Sequence, residues 1–145
     1  MHIKSLAGLL ALALAATGAA VETPFERAFE DATLRIDYHH TGDSDREFIA
    51  IDRLYRQGVW AGSRSQLVDP FAYGGYLVEA RDAGTGELVY SQGFDSYFGE
   101  YRTTDPAAAD ILRTYHETVL VPYPRRPMDV VLTARRRDGT TVQLA

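Results

Sequence analysis

Tyr76-Leu77-Val78-Glu79-Ala80-Arg81-Asp82-Ala83-Gly84-Thr85-Gly86-Glu87-Leu88-Val89-Tyr90-Ser91 is the stretch that decides the fold class. Apolar side chains recur at Tyr76, Val78 and Ala80, the period of a half-buried strand. Ala83-Gly84-Thr85-Gly86 then offers glycines where a tight reversal needs positive φ. Glu87 to Ser91 brings the chain back, so the stretch reads as a β-hairpin.

The same grammar extends outward. Upstream, Leu34, Ile36 and Tyr38 alternate with Arg35, Asp37 and His39, which predicts another strand. Thr41-Gly42-Asp43-Ser44-Asp45 is a turn cluster, and Phe48 to Tyr55 reads as the next strand until Gly58, Gly62 and Ser63 break it. Residues 69–75 read as a loop. The segment around Pro24, Phe25 and Phe29 is expected as a short lead-in helix or an extended arm. Downstream, the aromatic run from Phe94 to Tyr101 reads as a loop or short strand. Asp105-Pro106 has helix-start character, which predicts one short helical turn near residues 106–112. Thr114 to Val121, Met128 to Ala134 and Thr141 to Leu144 complete the strands, with Asp138-Gly139 turning between the last two. Seven to eight short strands, with turns at intervals of about 8–12 residues, predict an all-β protein: a single antiparallel β-sandwich.

The first 20 residues stand apart. Lys4 gives a positive start, Leu6 to Ala16 is apolar, and Thr17-Gly18-Ala19-Ala20 is small. That is the pattern of a cleavable secretory signal peptide, with cleavage expected near Ala19 or Ala20. The apolar run falls short of the roughly 20 residues a bilayer span needs. A periplasmic or extracellular protein without a stable membrane anchor is therefore expected. Residues 21–145 then form one domain, long enough to bury a core without covalent staples.

Composition narrows the chemistry. The 145 residues contain no cysteine, which removes disulfides, thiolate zinc sites and a cysteine nucleophile. Net charge is −5, and a net acidic domain lacks the positive field that nucleic acid recruits. His39-His40 reads as a solvated strand end, because neighbours on a strand face opposite ways and cannot share one ion. A single histidine there with Asp43 and Asp45 makes at most a weak metal set. His116-Glu117 opens like the zinc-protease helix H-E-x-x-H, but Leu120 stands where the second histidine belongs. Thr118-Val119-Leu120-Val121 also favours a strand, which separates His116 from Glu117. No G-x-S-x-G elbow and no glycine-rich phosphate loop is present, and nothing selects a pair among the acids for glycoside hydrolysis. The residues thus assign no catalytic residue, no metal ligand and no cofactor.

Two features read as surfaces. Trp60, Phe71, Tyr73, Phe94, Tyr97, Phe98 and Tyr101 lie in or beside glycine-rich loops. Rings there either cover the end of a sandwich or form a platform for a protein or carbohydrate, since aromatics give large contact at low entropy cost. Arg125-Arg126 and Arg135-Arg136-Arg137 read as charges that protect strand edges.

Longer blocks carry a resemblance. They run Phe29-Glu30-Asp31-Ala32-Thr33-Leu34-Arg35-Ile36-Asp37-Tyr38-His39-His40-Thr41-Gly42, then Asp52-Arg53-Leu54-Tyr55-Arg56-Gln57-Gly58-Val59-Trp60-Ala61-Gly62-Ser63, then Asp69-Pro70-Phe71-Ala72-Tyr73-Gly74. Tyr90-Ser91-Gln92-Gly93-Phe94-Asp95-Ser96-Tyr97-Phe98-Gly99-Glu100-Tyr101, Arg113-Thr114-Tyr115-His116-Glu117-Thr118 and Pro122-Tyr123-Pro124 come next in order. Together they resemble the N-terminal, non-catalytic domain of the IgA-cleaving secreted bacterial zinc metallopeptidases, metallopeptidase family sixty-four. The resemblance begins within ten residues of the expected cleavage site and covers nearly all of the chain after it. It implies a β-rich accessory domain ahead of a separate catalytic domain. In that family the zinc ligands and the catalytic glutamate sit in the later domain. No H-E-x-x-H occurs in these 145 residues, so no catalytic or zinc-binding residue carries over and this chain is not expected to be an enzyme. The expected partner is a metallopeptidase catalytic domain or a protein substrate; the alternative is a free-standing extracytoplasmic carbohydrate- or protein-binding module.

Overall fold

A computed structural model describes residues 22–136 and 138–145. The leader expected over residues 1–20 and Arg137 of the arginine run lie outside the described residues. Helix α1, Pro24–Ala28, opens the domain. Thr23 and Glu26 cap it reciprocally: Glu26 N–H donates to Thr23 Oγ1, and Thr23 N–H donates to Glu26 Oε2. This cap, with Pro24 at the first turn, lets a five-residue helix hold.

Strands β1 (Phe29–Gly42) and β2 (Glu47–Gln57) come next, and β5 (Arg113–Pro124) completes a three-stranded antiparallel sheet in the order β2-β1-β5. Strands β3 (Tyr76–Asp82), β4 (Leu88–Phe94), β6 (Met128–Arg135) and β7 (Thr141–Gln143) form the second sheet, order β4-β3-β6-β7. The hairpin expected at residues 76–91 is β3-β4. Its turn is tied by Asp82, whose carboxylate accepts from the Gly84 and Thr85 amides, and Gly86 takes the positive φ of 73°.

The sheets bury their facing sides against each other. Phe29, Ile36 and Tyr38 of β1 and Val119 and Val121 of β5 meet Val78, Ala80, Tyr90 and Leu132 of the second sheet. The expected all-β sandwich is the observed architecture, with seven strands among the described residues. One helix departs from expectation. The aromatic run holds α2, Tyr97–Tyr101, where a loop or strand was expected. Ser96 starts it by accepting the Gly99 amide on its side chain at 3.0 Å. The helical turn expected near 106–112 is α3, Asp105–Ala108.

Two irregularities of the sheets re-aim side chains and loops at the surface. The β1–β2 register pairs Asp37 with Arg53 and Tyr38 with Ile51, which leaves Asp52 unpaired in a bulge. The loop of residues 69–75 docks on β4 so closely that a Cβ on Gly93 would lie 2.0 Å from the Tyr73 carbonyl oxygen. Only glycine admits that approach.

Candidate functional site

The seven aromatics singled out in the sequence divide sharply. Trp60, Phe98 and Tyr101 are interior and offer no surface to a partner. Trp60 packs edge-on to Tyr90 and donates its indole N–H to the Ser63 carbonyl at 3.1 Å. Phe98 and Tyr101 are one helical turn apart on the inward side of α2, beside Ala107 and Tyr115. Phe94 is half-buried against the core. Phe71, Tyr73 and Tyr97 are exposed, at 66%, 75% and 75%.

Phe71 and Tyr73 form a built feature. Their rings stack at 5.4 Å with planes 4° apart. The loop beneath is held by one carboxylate. Asp69 Oδ1 accepts the Phe71 and Ala72 amides, and Oδ2 accepts the Gly93 amide, each at 3.0 Å. Those three amides, Gly93 foremost, hold the Asp69 carboxyl below its usual range. Asp69 N–H in turn donates to Ser91, and Gly75 N–H donates to Asp95. Ala72 sits at φ 48°, a conformation that non-glycine residues adopt only when neighbours impose it. Two large rings are thus held on an anchored loop in water. Tyr97 leaves the same end of the second sheet, because Tyr76, which comes after the loop, pairs with Phe94, which precedes α2.

The polar residues also rearrange the expectation. His39 is exposed as read, but His40 is fully buried, where a solvated strand end was expected. Asp43 is buried too: its carboxylate accepts from the Arg46 guanidinium and from the Asp45 and Arg46 amides, which hold it at about 2. The start of the turn is thus folded in, while Asp45 and Arg46 stay exposed. His40 Nδ1 lies 2.9 Å from Glu117 Oε2, and Nε2 lies 2.9 Å from Glu47 Oε1. Two ionised carboxylates can only accept, so this pairing favours the imidazolium, in which both ring nitrogens donate. Its ring stacks on Phe98 at 4.1 Å. Glu47 also accepts from Tyr76, Arg102 and Arg136 at 2.7, 2.8 and 2.6 Å. Glu117 takes the Phe98 amide.

This network joins β1, β2 and β5 to β3, to α2 and to the segment after β6. Among the described residues no buried side-chain nitrogen or oxygen lacks a partner. Its groups are consumed in holding the sheets together, with no lone pair of His40 left to take a substrate proton. The arginine run is partly accounted for here as well. Arg136 and Arg102 serve Glu47, and both line an open groove of about 1390 Å³ beside α2 together with Tyr97, Arg113 and Arg135. Arg125 donates to the Phe29 carbonyl.

The network makes stability depend on pH in two directions. Burial raises the Glu47 carboxyl, but bonds from His40 and Tyr76 and the charges of Arg102 and Arg136 outweigh it and hold it at about 2, below its ordinary 4.5. Its contribution is present above 4.5 and drains away as pH falls toward 2. Burial lowers His40, but Glu117 and Glu47 outweigh that and lift it above its ordinary 6.5. Its contribution is complete below 6.5 and is lost as pH rises through the lifted value. Urea midpoints are therefore expected to be highest between about 4.5 and 6.5 and to fall on both sides. A profile flat from about pH 4 to about pH 9 would contradict the charged network.

His116 and Glu117 face opposite ways, as the strand reading requires: Glu117 is buried and His116 exposed. His116 lies across from His39, and Asp52 approaches both. Sequence reasoning assigned no role to Glu47 or Asp52. Neither carries a local signal, since each owes its position to pairings of distant strands.

No curated protein matches the chain. The family model described as Peptidase M64 N-terminus matches residues 24–144, which takes in every strand and helix above. The zinc-protease fragment at His116-Glu117 is a strand within that match, and the matched unit is the N-terminal portion of the peptidases. The chain belongs to the Peptidase M64 N-terminus family, as an accessory N-terminal peptidase domain.

Proposed function

We propose that this domain acts outside the cytoplasm as a non-catalytic docking module. Its Phe71–Tyr73 pair, with Tyr97, packs against a polypeptide, either a metallopeptidase catalytic domain or a protein substrate. The observation that carries the reading is the stacked, exposed pair on a loop anchored through Asp69. Rigid aromatics lose little entropy on contact, which is why they dominate interface hot spots. Membership of an N-terminal peptidase family supports a polypeptide as the occupant. Export rests on the leader at residues 1–20 and is checked by sequencing the N-terminus of the secreted protein.

The test is a binding assay against a catalytic domain of the same family and against a peptide array. Phe71→Ala/Tyr73→Ala is expected to weaken binding by about tenfold or more. Folding stability should stay within about 0.5 kcal/mol, because neither ring is buried. Undiminished binding by the double variant would sink the proposal. A second reading, a carbohydrate platform, draws on the same pair, whose near-parallel rings present flat apolar faces. Glycan-array binding that is lost in the double variant, with no polypeptide bound, would replace the first reading by the second.

A further inference from the structure

We propose that His39, Asp52 and His116 form a binding site for a divalent transition metal, with zinc as the reference ion. The three come from three different strands. His39 is on the central strand β1, His116 stands directly opposite it on β5, and Asp52 is on β2. All three are exposed on the side of the sheet away from the core.

The geometry is specific. One ligand atom from each residue lies within 4.8 Å of the other two. His116 Nε2 is 3.3 Å from Asp52 Oδ2, and the two imidazole rings lie 5.0 Å apart. Ligand atoms sharing a tetrahedral zinc at bond lengths near about 2.1 Å sit about 3.4 Å from one another. Small side-chain rotations close the remaining gap, with no movement of backbone. The strands supply the rest. Residues directly opposite in an antiparallel pair bring their side chains together on one face. Alternation along β2 places Asp52 on the same face as Ala50, which pairs with His39, and the bulge leaves Asp52 without a direct partner on β1.

The donor set selects the ion. Two imidazoles and one carboxylate suit zinc, nickel or copper and are poor for magnesium and calcium, which prefer oxygen alone. Three protein ligands leave a coordination position open to water or to an incoming group. Neighbouring charge does not complete the shell. Asp37 is on the same face but is already held by Arg35 and Thr118. Arg53 is the competing cation, 3.9 Å from Asp52, though its side chain is largely exposed and can move away.

The experiment is zinc titration of the purified chain, free of affinity tag and chelator, read by calorimetry and by competition with a chromophoric chelator. One ion per chain is expected. His39→Ala and His116→Ala should each weaken binding by about tenfold or more. Cobalt substituted for zinc should give visible absorption bands that the double histidine variant lacks. Zinc should raise the melting temperature of the native chain and leave that of the double variant unchanged, while magnesium should do neither. Equal metal-free melting temperatures would show that the variants fold. Absence of zinc binding, or binding undiminished in the double variant, would overturn the site.

Discussion

Glu47→Ala is expected to cost about 3–5 kcal/mol of folding stability, the range seen when one partner is removed from a buried ion network. The reason lies in the donors it serves. Glu47 Oε1 accepts from His40 and Tyr76, and Oε2 accepts from Arg102 and Arg136. Truncation strands all four at once. Two of them have a way out: the Arg102 and Arg136 side chains are 18% and 23% exposed and can turn toward water. His40 and Tyr76 cannot. The imidazolium would keep Glu117 alone, and the Tyr76 hydroxyl would lose its acceptor inside the sandwich. Glu47→Gln separates charge from shape. It fills the same volume and keeps one acceptor oxygen, but its amide nitrogen must face donors. It should fall between wild type and alanine. Urea denaturation decides the matter, read as a shift in midpoint at constant slope. A loss below about 1 kcal/mol for Glu47→Ala would mean that the network adds specificity and not stability.

Glu47 also shows where sequence reading stops. The strands were legible because their signal is local. Tyr76, Val78 and Ala80 alternate, and the same three are buried in the sandwich. Val119 and Val121 repeat the pattern on β5. Turn chemistry was equally plain at Gly86 and Gly139, both at positive φ. The buried network was not legible, because its bonded partners are up to 89 residues apart. A polar residue beside a turn, such as His40 or Asp43, looks solvated until the opposing sheet is in place. The bulge at Asp52 escapes notice for a related reason. An extra residue in a register is a property of two strands, and one strand viewed alone does not reveal it. The N-cap at Ser96 is local, yet faint. Its third helical residue is Gly99, so the Glu or Gln that would complete a capping box is missing. Without that helix, Phe98 and Tyr101 look like members of a surface.

Phe98→Ala is expected to cost about 3–5 kcal/mol, whereas Tyr97→Ala should stay within about 0.5 kcal/mol. The two residues are adjacent, aromatic and on the same helix, so composition cannot distinguish them. The helix does: Phe98 is fully buried and Tyr97 is 75% exposed. Phe98 loses more than its own apolar area on truncation. Its ring covers one face of His40 at 4.1 Å and packs near Tyr101 and Tyr115. An alanine there opens a void against a charged imidazolium. Water entering it would compete for the bonds that His40 makes to Glu47 and Glu117. The Phe98 amide still donates to Glu117, so the helix keeps its place and the loss is one of packing. Phe98→Leu should recover part of it by refilling volume without the flat stacking face. Thermal and urea unfolding of the three variants provide the check. A Tyr97→Ala variant as destabilised as Phe98→Ala would mean that α2 turns a different face inward. The expected contrast separates the exposed Tyr97 from the core residue Phe98, so that loss of binding can be told from loss of fold in any interaction experiment on this domain.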